Sequence, residues 1–294
     1  MKLRDRKKIS WFNVVNMTFI VLFSIAVLYP FWQTIVLSFT DANQASSLGL
    51  NIWPERWITD AYVYIFSYEQ IGVAYLNTIF RTVTGTILIV IFTVLAAYPL
   101  SKRNLPYRNT ITILFLIAMF FSGGMIPDYL LIKNLGLLDN RLALILPSAL
   151  NVFYVIIMRN YFMTIDKGIE ESAVMDGANH LTILMKIIMP LSKPVIVTIA
   201  LWAAIGHWNE WFHALIYIQD DTKTVLQMVV RDMLVNMNLS QETQVSGAGA
   251  TNSNLLLSNV RAATVMVSIG PIILVYPFAQ KYFIRGIMIG SLKG

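Results

Sequence analysis

D-K-G-I-E-E-S-A-V-M-D-G-A-N-H-L-T-I-L-M-K-I-I-M-P-L-S-K-P, residues Asp166–Pro194, is a polar break between two long apolar runs. Its spacing predicts two short helices about a turn. Gly168–Met175 is helix-competent, with Glu170 and Glu171 in the first turn where the helix dipole favours anions. Asp176-Gly177 interrupts it, since glycine reaches positive φ without a Cβ penalty and Asp tolerates turns. From Asn179, apolar residues recur at Leu181, Ile183, Leu184, Ile187 and Ile188, close to helical period. Pro190 and Pro194 then end that helix and start the next apolar run. From the residues alone two readings stand: an amphipathic hairpin lying on a membrane surface, or a rigid knob that docks into a soluble partner.

Working outward, the chain is a membrane protein. Of its 294 residues 56% are hydrophobic and 13% charged, about half the charged share of a soluble domain; mean hydropathy is +0.63. The apolar runs reach the roughly 20 residues that carry a helix across the hydrocarbon, and no short alternating segments suggest a barrel. The predicted fold is all-α, one transmembrane domain over 1–294, with spans at about 12–37, 75–99, 110–132, 142–163, 194–218 and 261–283. Gly123, Gly124, Pro127 and Asp128 disturb the end of the third. The first span is too long for a signal-peptide core and lacks a small-residue cleavage site after it, so it is expected to remain as an anchor.

Charge orients the spans. The N-terminal segment with Lys2, Arg4, Asp5, Arg6, Lys7 and Lys8 nets +4, the loop with Lys102, Arg103 and Arg108 +3, and the tail with Lys281, Arg285 and Lys293 +3. The loop after span one nets −3 and that after span five −2. The positive-inside rule therefore predicts cytoplasmic termini and a cytoplasmic hairpin between spans four and five. The overall +6 charge follows membrane faces, which argues against a nucleic-acid partner. The chain has no cysteine, hence no disulfide framework or thiol chemistry. No phosphate-binding G-x4-G-K-[S/T] loop, H-E-x-x-H or G-x-S-x-G occurs. His207 and His213 stand six apart, on different helix faces, with His180 beyond the far end of the span, so no metal site is expected. The small, polar stretch Asn238–Asn254 is expected to be a flexible external loop.

Glu171-Ser172-Ala173, then Gly177, then Ile187-x-Met189-Pro190 resembles the E-A-A-x3-G-x9-I-x-L-P loop of ABC importer permeases, with Ser172 for Ala and Met189 for Leu. Asp176 and Ala178 also fit the wider pattern. Trp208-Asn209-Glu210-Trp211 is similar to the W-N-x-F stretch of carbohydrate-uptake permeases. Tyr276–Gly294 resembles the end of the second maltose-permease subunit, and with Phe121–Asp139 the branch serving oligosaccharides of complex polysaccharides, alginate among them. The resemblance covers essentially the whole chain. It implies a non-catalytic, multi-pass inner-membrane permease subunit of a type I importer, paired with a second homologous permease. Two ATP-binding subunits would hold the ATP and magnesium, and an extracytoplasmic solute-binding protein would deliver sugar.

By that resemblance, Glu170, Glu171, Ser172, Ala173, Asp176, Gly177, Ala178, Ile187 and Pro190 form the coupling hairpin that sits in a groove of the ATPase. Gly290, Ser291, Lys293 and Gly294 form a tail against the ATPase interface; a basic tail held by anionic lipid is the other reading. The Asn238–Asn254 loop corresponds to one that probes the binding protein's sugar cleft. Polar groups within spans mark pathways because lipid penalises them. Arg81, His207, Trp208, Asn209, Glu210 and Trp211 are therefore candidates for contact with substrate or binding protein. Against this, Arg81 near the outer end of span two can snorkel to the interface, and Glu210 can be one solvated acid in an aromatic belt of Trp202, Trp208, Trp211 and Tyr217. An acidic oligosaccharide is the preferred substrate and a neutral one the alternative. A self-contained secondary transporter should show repeated halves and broken helices at the midplane, and a membrane enzyme an acid–base or nucleophile constellation; the sequence displays neither.

Overall fold

The computed structural model describes residues 11–40, 52–244, 258–275 and Pro277. The basic N-terminal residues, the expected tail contacts Gly290, Ser291, Lys293 and Gly294, the end of the sixth span and most of the Asn238–Asn254 stretch lie outside the described residues; the described start of that stretch, to Gln244, is helix and not the expected loop. Among those described, every regular element is helical. The elements are α1 (Trp11–Ser38), α2 (Asp60–Ser67), α3 (Glu69–Ser101), α4 (Arg108–Phe120), α5 (Met125–Asn134), α6 (Val152–Phe162), α7 (Lys167–Met175), α8 (His180–Leu191), α9 (Lys193–Asn209), α10 (Phe212–Tyr217), α11 (Leu226–Gln244) and α12 (Ser258–Val275). Three of them, α1, α3 and α12, are long and apolar enough to cross a membrane, and six spans result if each of three bent pairs counts as one.

The bent pairs are where structure departs from six smooth spans. The third expected span is two helices, α4 and α5, at 107°. Phe121 is extended and Gly124 has φ +89°, a conformation open to glycine, so the helix stops there. The fourth begins as 3-10 turns over Arg141–Leu144 and Leu146–Ser148, and turns by 44° into α6. Asn140 and Asn151 cap its two parts by accepting from the amides of Leu142 and Tyr154. The fifth ends early: α9 stops at Asn209, Glu210 is extended, and α10 starts afresh.

The chain forms two compact units. In one, residues 1–68 with 233–268, Phe39 packs its ring 4.8 Å from Tyr62 and 5.3 Å from Trp57, and Ile65 is fully buried. Asn259 donates to the Thr40 carbonyl there.

The other unit, residues 69–232 with 269–294, holds most candidate residues. Its core is α3 packed on α6 and α9, through Ile89, Val94, Ala97, Val155, Met158, Ile199 and Ala203. Ala173, Ile183, Leu184 and Ile188 of the hairpin belong to the same core.

Candidate functional site

The hairpin α7–α8 is made by short-range devices. Asp166 starts α7 by accepting from the Gly168 amide at 2.9 Å. Its end is a Schellman motif: Gly177 N–H donates to Val174 O at 3.0 Å and Ala178 N–H to Ala173 O at 2.9 Å. Gly177 has φ +81°, and a Cβ there would meet nothing within 4 Å, so the requirement for glycine is conformational, not steric. Asn179 then caps α8, accepting from Thr182 N at 2.8 Å. Within α8, Leu184–Ile188 is π-helical, where a regular helix was expected. Pro190 has no N–H to give the carbonyl four residues back, and a widened turn relieves the ring's clash with it. Between α8 and α9 the chain bends by 82° at Ser192, with Pro194 in the first turn of α9.

Burial sorts the coupling candidates. Ala173 is buried, Glu170, Ala178 and Ile187 are half-buried, and Glu171, Ser172, Asp176, Gly177 and Pro190 are exposed. Glu170 pairs with Lys102 just past the end of α3, and the Lys102 ammonium lies 4.1 Å over the Tyr98 ring. The hairpin's apolar side is thus already packed on protein. Yet Val174, Met175 and Leu181 remain exposed, Met175 at 87%.

The pathway candidates divide. Arg81 does not snorkel: it is 4% exposed, with Nε donating to Leu144 O at 3.2 Å and Nη1 to Glu210 O at 2.8 Å. One turn further along α3, a Cβ on Gly85 would run into the imidazole of His207, itself 4% exposed. That close approach lets α3 and α9 cross there. The Glu210 carboxylate starts α10, Oε1 accepting from Phe212 N at 2.8 Å and His213 N at 3.2 Å, while Oε2 meets His213 Nδ1 at 3.2 Å. Arg81, His207, Glu210 and His213 line one cavity of about 200 Å³ with Ser148, Asn151 and Tyr154.

The aromatic residues near Glu210 in the sequence each have their own partners. Trp202 stacks 6.2 Å from Phe153 and from Tyr154; Trp208 is buried edge-on to Tyr75; Trp211 lies 4.8 Å under the Arg231 guanidinium. Positions 202 and 208 stand six apart on α9 and so on different faces, and 211 lies beyond the helix end at Asn209. Tyr217 reaches Glu210 only through His213, whose ring it stacks at 5.7 Å. Asn209 is exposed.

A further cluster is not evident from the sequence, where Asp220 and Lys223 stand as loop charges and Asp139 ends the Phe121–Asp139 stretch. Asp139, at φ +55°, accepts from the amides of Gln219 and Asp220, and its other oxygen takes Lys223 Nζ at 2.8 Å. Lys223 also meets Asp220 at 3.1 Å. The Lys223 bond, then the two amides, hold the Asp139 carboxyl below its ordinary range. The Thr222 hydroxyl and amide, then Lys223, draw Asp220 down to about 2. Lys223 is raised in return, by Asp139 first and Asp220 second. The same loop is tied to α3, where Asn77 donates to Thr222 O and Thr224 O at 2.8 and 2.9 Å. The D-x-x-K spacing of Asp220 and Lys223 is visible in the sequence; the partner 84 positions back is not.

Comparison with known proteins places this geometry. Residues 74–289 match the binding-protein-dependent transport system inner membrane component family. Protein LplC of Bacillus subtilis is 41% identical over 283 residues, covering 96% of this chain and 95% of that one. The polygalacturonan/rhamnogalacturonan transport system permease protein YtcP of the same organism is 38% identical, covering 96% and 98%. In the crystal structure of a bacterial ABC transporter involved in the import of the acidic polysaccharide alginate, one chain superposes with a TM-score of 0.84 at 36% identity, covering 96% of this chain and all of that one.

Proposed function

This chain belongs to the binding-protein-dependent transport system inner membrane component family, and from that premise we propose that it is a permease subunit that moves an acidic oligosaccharide inward in an ABC importer. The observation that carries the reading is the hairpin. Its core residues Ala173, Ile183 and Ile188 are already buried against helices, so its most regular apolar stripe is packed on protein and not on lipid. Its tip still exposes Met175, Val174 and Leu181 among Glu171 and Asp176, a mixed surface suited to a protein groove. The loop charge balance puts it on the cytoplasmic side, where an ATP-binding partner would meet it. The acidic substrate is supported by two relatives, one named for polygalacturonan and one for alginate; a neutral oligosaccharide is the alternative.

Both helices that receive the hairpin also carry the polar cavity. Lys102, ion-paired to Glu170, directly follows α3, and Arg81 on that helix lies 21 residues earlier, about 30 Å along a helix. α8 turns into α9, which bears His207. Closure of the ATPase pair on the hairpin would shift α3 against α9, and with them the Arg81 and Gly85–His207 contacts. Coupling of this kind needs rigid connectors, and the Schellman turn and the Lys102–Glu170 pair supply them.

The test is purification of the native chain in mild detergent, followed by reconstitution with what co-elutes. The expected result is a second permease and two ATP-binding subunits, whose ATP hydrolysis rises when a binding protein loaded with an alginate or polygalacturonate oligosaccharide is added. Recovery of this chain alone, or as a homo-oligomer that transports without ATP, would overturn the reading.

A further inference from the structure

We propose that the Arg81 cavity is a carboxylate subsite that takes one uronic-acid unit of the passing chain; this rests on the acidic-oligosaccharide reading above. Arg81 is 96% buried, from its 4% exposure, in the middle of an apolar helix. A guanidinium never loses its charge in a protein, so burying it demands a counter-charge or a use. Its described partners are two neutral main-chain carbonyls, Leu144 O and Glu210 O, and its second terminal nitrogen has no described hydrogen bond. Glu210 is near in sequence and space, yet both its carboxylate oxygens turn away, to His213 and to the start of α10. Among the described residues, no carboxylate lies within ion-pair distance of Arg81.

The space beside that cation has the right character. The cavity of about 200 Å³ suits a single sugar ring. Ser148 and Asn151 stand on its wall from the turns before α6, with Tyr154 one turn on. The Asn151 carbonyl oxygen is engaged in capping α6, which leaves its amide free to donate to a ring hydroxyl. A carboxylate meets Arg81 as a second, charge-assisted partner, stronger than either carbonyl. A neutral sugar would leave the guanidinium as it stands. The Arg81 cation therefore favours the acidic unit and the size admits the ring, while the Glu210 carboxylate on the same wall is engaged by His213 and the start of α10.

The experiment uses the complete importer in proteoliposomes, with saturating binding protein loaded with an alginate tetrasaccharide. Transport per ATP hydrolysed is compared for wild type, Arg81→Gln, Arg81→Lys and Ser148→Glu. Arg81→Gln is expected to lower it about tenfold. Arg81→Lys, which keeps the charge, is expected to stay within about threefold of wild type. Ser148→Glu sets an anion at the exposed rim, away from the core, and is expected to lower it about as much as Arg81→Gln. Should Arg81→Gln fail to assemble, Ser148→Glu decides: uptake equal to wild type overturns the subsite. Equal losses in the Gln and Lys variants, with Ser148→Glu unaffected, would make Arg81 a structural brace and also overturn it. A wild-type importer that takes up no oligouronate refutes the underlying substrate reading instead.

Discussion

At the Ser101 end of α3 the hairpin is shaped by residues within five positions of the groups they cap, from Asp166 on Gly168 to Ala178 on Ala173. Around Arg81, on the same helix, the polar contacts reach 63 and 129 positions along the chain. The difference separates two kinds of stability. A locally capped turn keeps its shape whenever its own few residues are ordered. A buried cation held by two distant carbonyls exists only when α3, the 3-10 turns and the end of α9 are all in place.

The strongest way to break the long-range region is Gly85→Val. A side chain there collides with the buried His207 ring, and overpacking of that kind costs about 1–3 kcal/mol. The expected outcome is a clear fall in Tm in detergent and loss of assembled complex. A Tm equal to wild type would show that His207 swings aside and that the crossing is looser than its burial implies.

Gly177→Val breaks the local region, and by less. No atom obstructs the new side chain, but a left-handed conformation costs a non-glycine residue about 1–2 kcal/mol. The variant is expected to reach the membrane in normal amount and to lose uptake per ATP hydrolysed. Gly177→Asn, which tolerates the same φ better, should recover part of it. Equal coupling in all three proteins would mean that the hairpin transmits nothing through its turn.

The smallest effect concerns the Asp139–Lys223 loop, also long-range but outside the spans. Asp139 and Asp220 are depressed in the fold, so their contribution is present above the ordinary carboxylate range near pH 4 and disappears as pH falls through their lowered values, about 2 for Asp220. Lys223 is raised, so its share is present below about pH 10.4 and is lost as pH rises past its shifted value. Protection factors of the Gln219 and Asp220 amides should therefore stay level from about pH 5 to 10 and drop below pH 4. Protection that persists unchanged to pH 2 would show that the backbone alone holds the loop.

Much of the hairpin was legible because caps and turns are properties of neighbouring residues. Asp166, Gly177 and Asn179 each act within a few positions, and the apolar spacing of Ile183, Leu184 and Ile188 marked the buried side. The π-helical turn before Pro190 was not foreseen, since the way a helix absorbs a proline depends on what it packs against. Gly123, Gly124 and Pro127 pointed to a break in the third span but not to a 107° bend. The separate partners of Trp202, Trp208 and Trp211 were not legible, because the break after Asn209 shows only in the fold.

The sequence by itself determined the all-helical membrane class and the helix–turn–helix, since hydropathy and caps act over one to twenty residues. Only the tertiary structure decided that Arg81 is buried rather than at an interface, that Glu210 caps a helix instead of neutralising that arginine, and that Asp139 finds Lys223. Each of those outcomes turns on which distant backbone or side-chain group is brought within about 3 Å, and packing alone makes that selection.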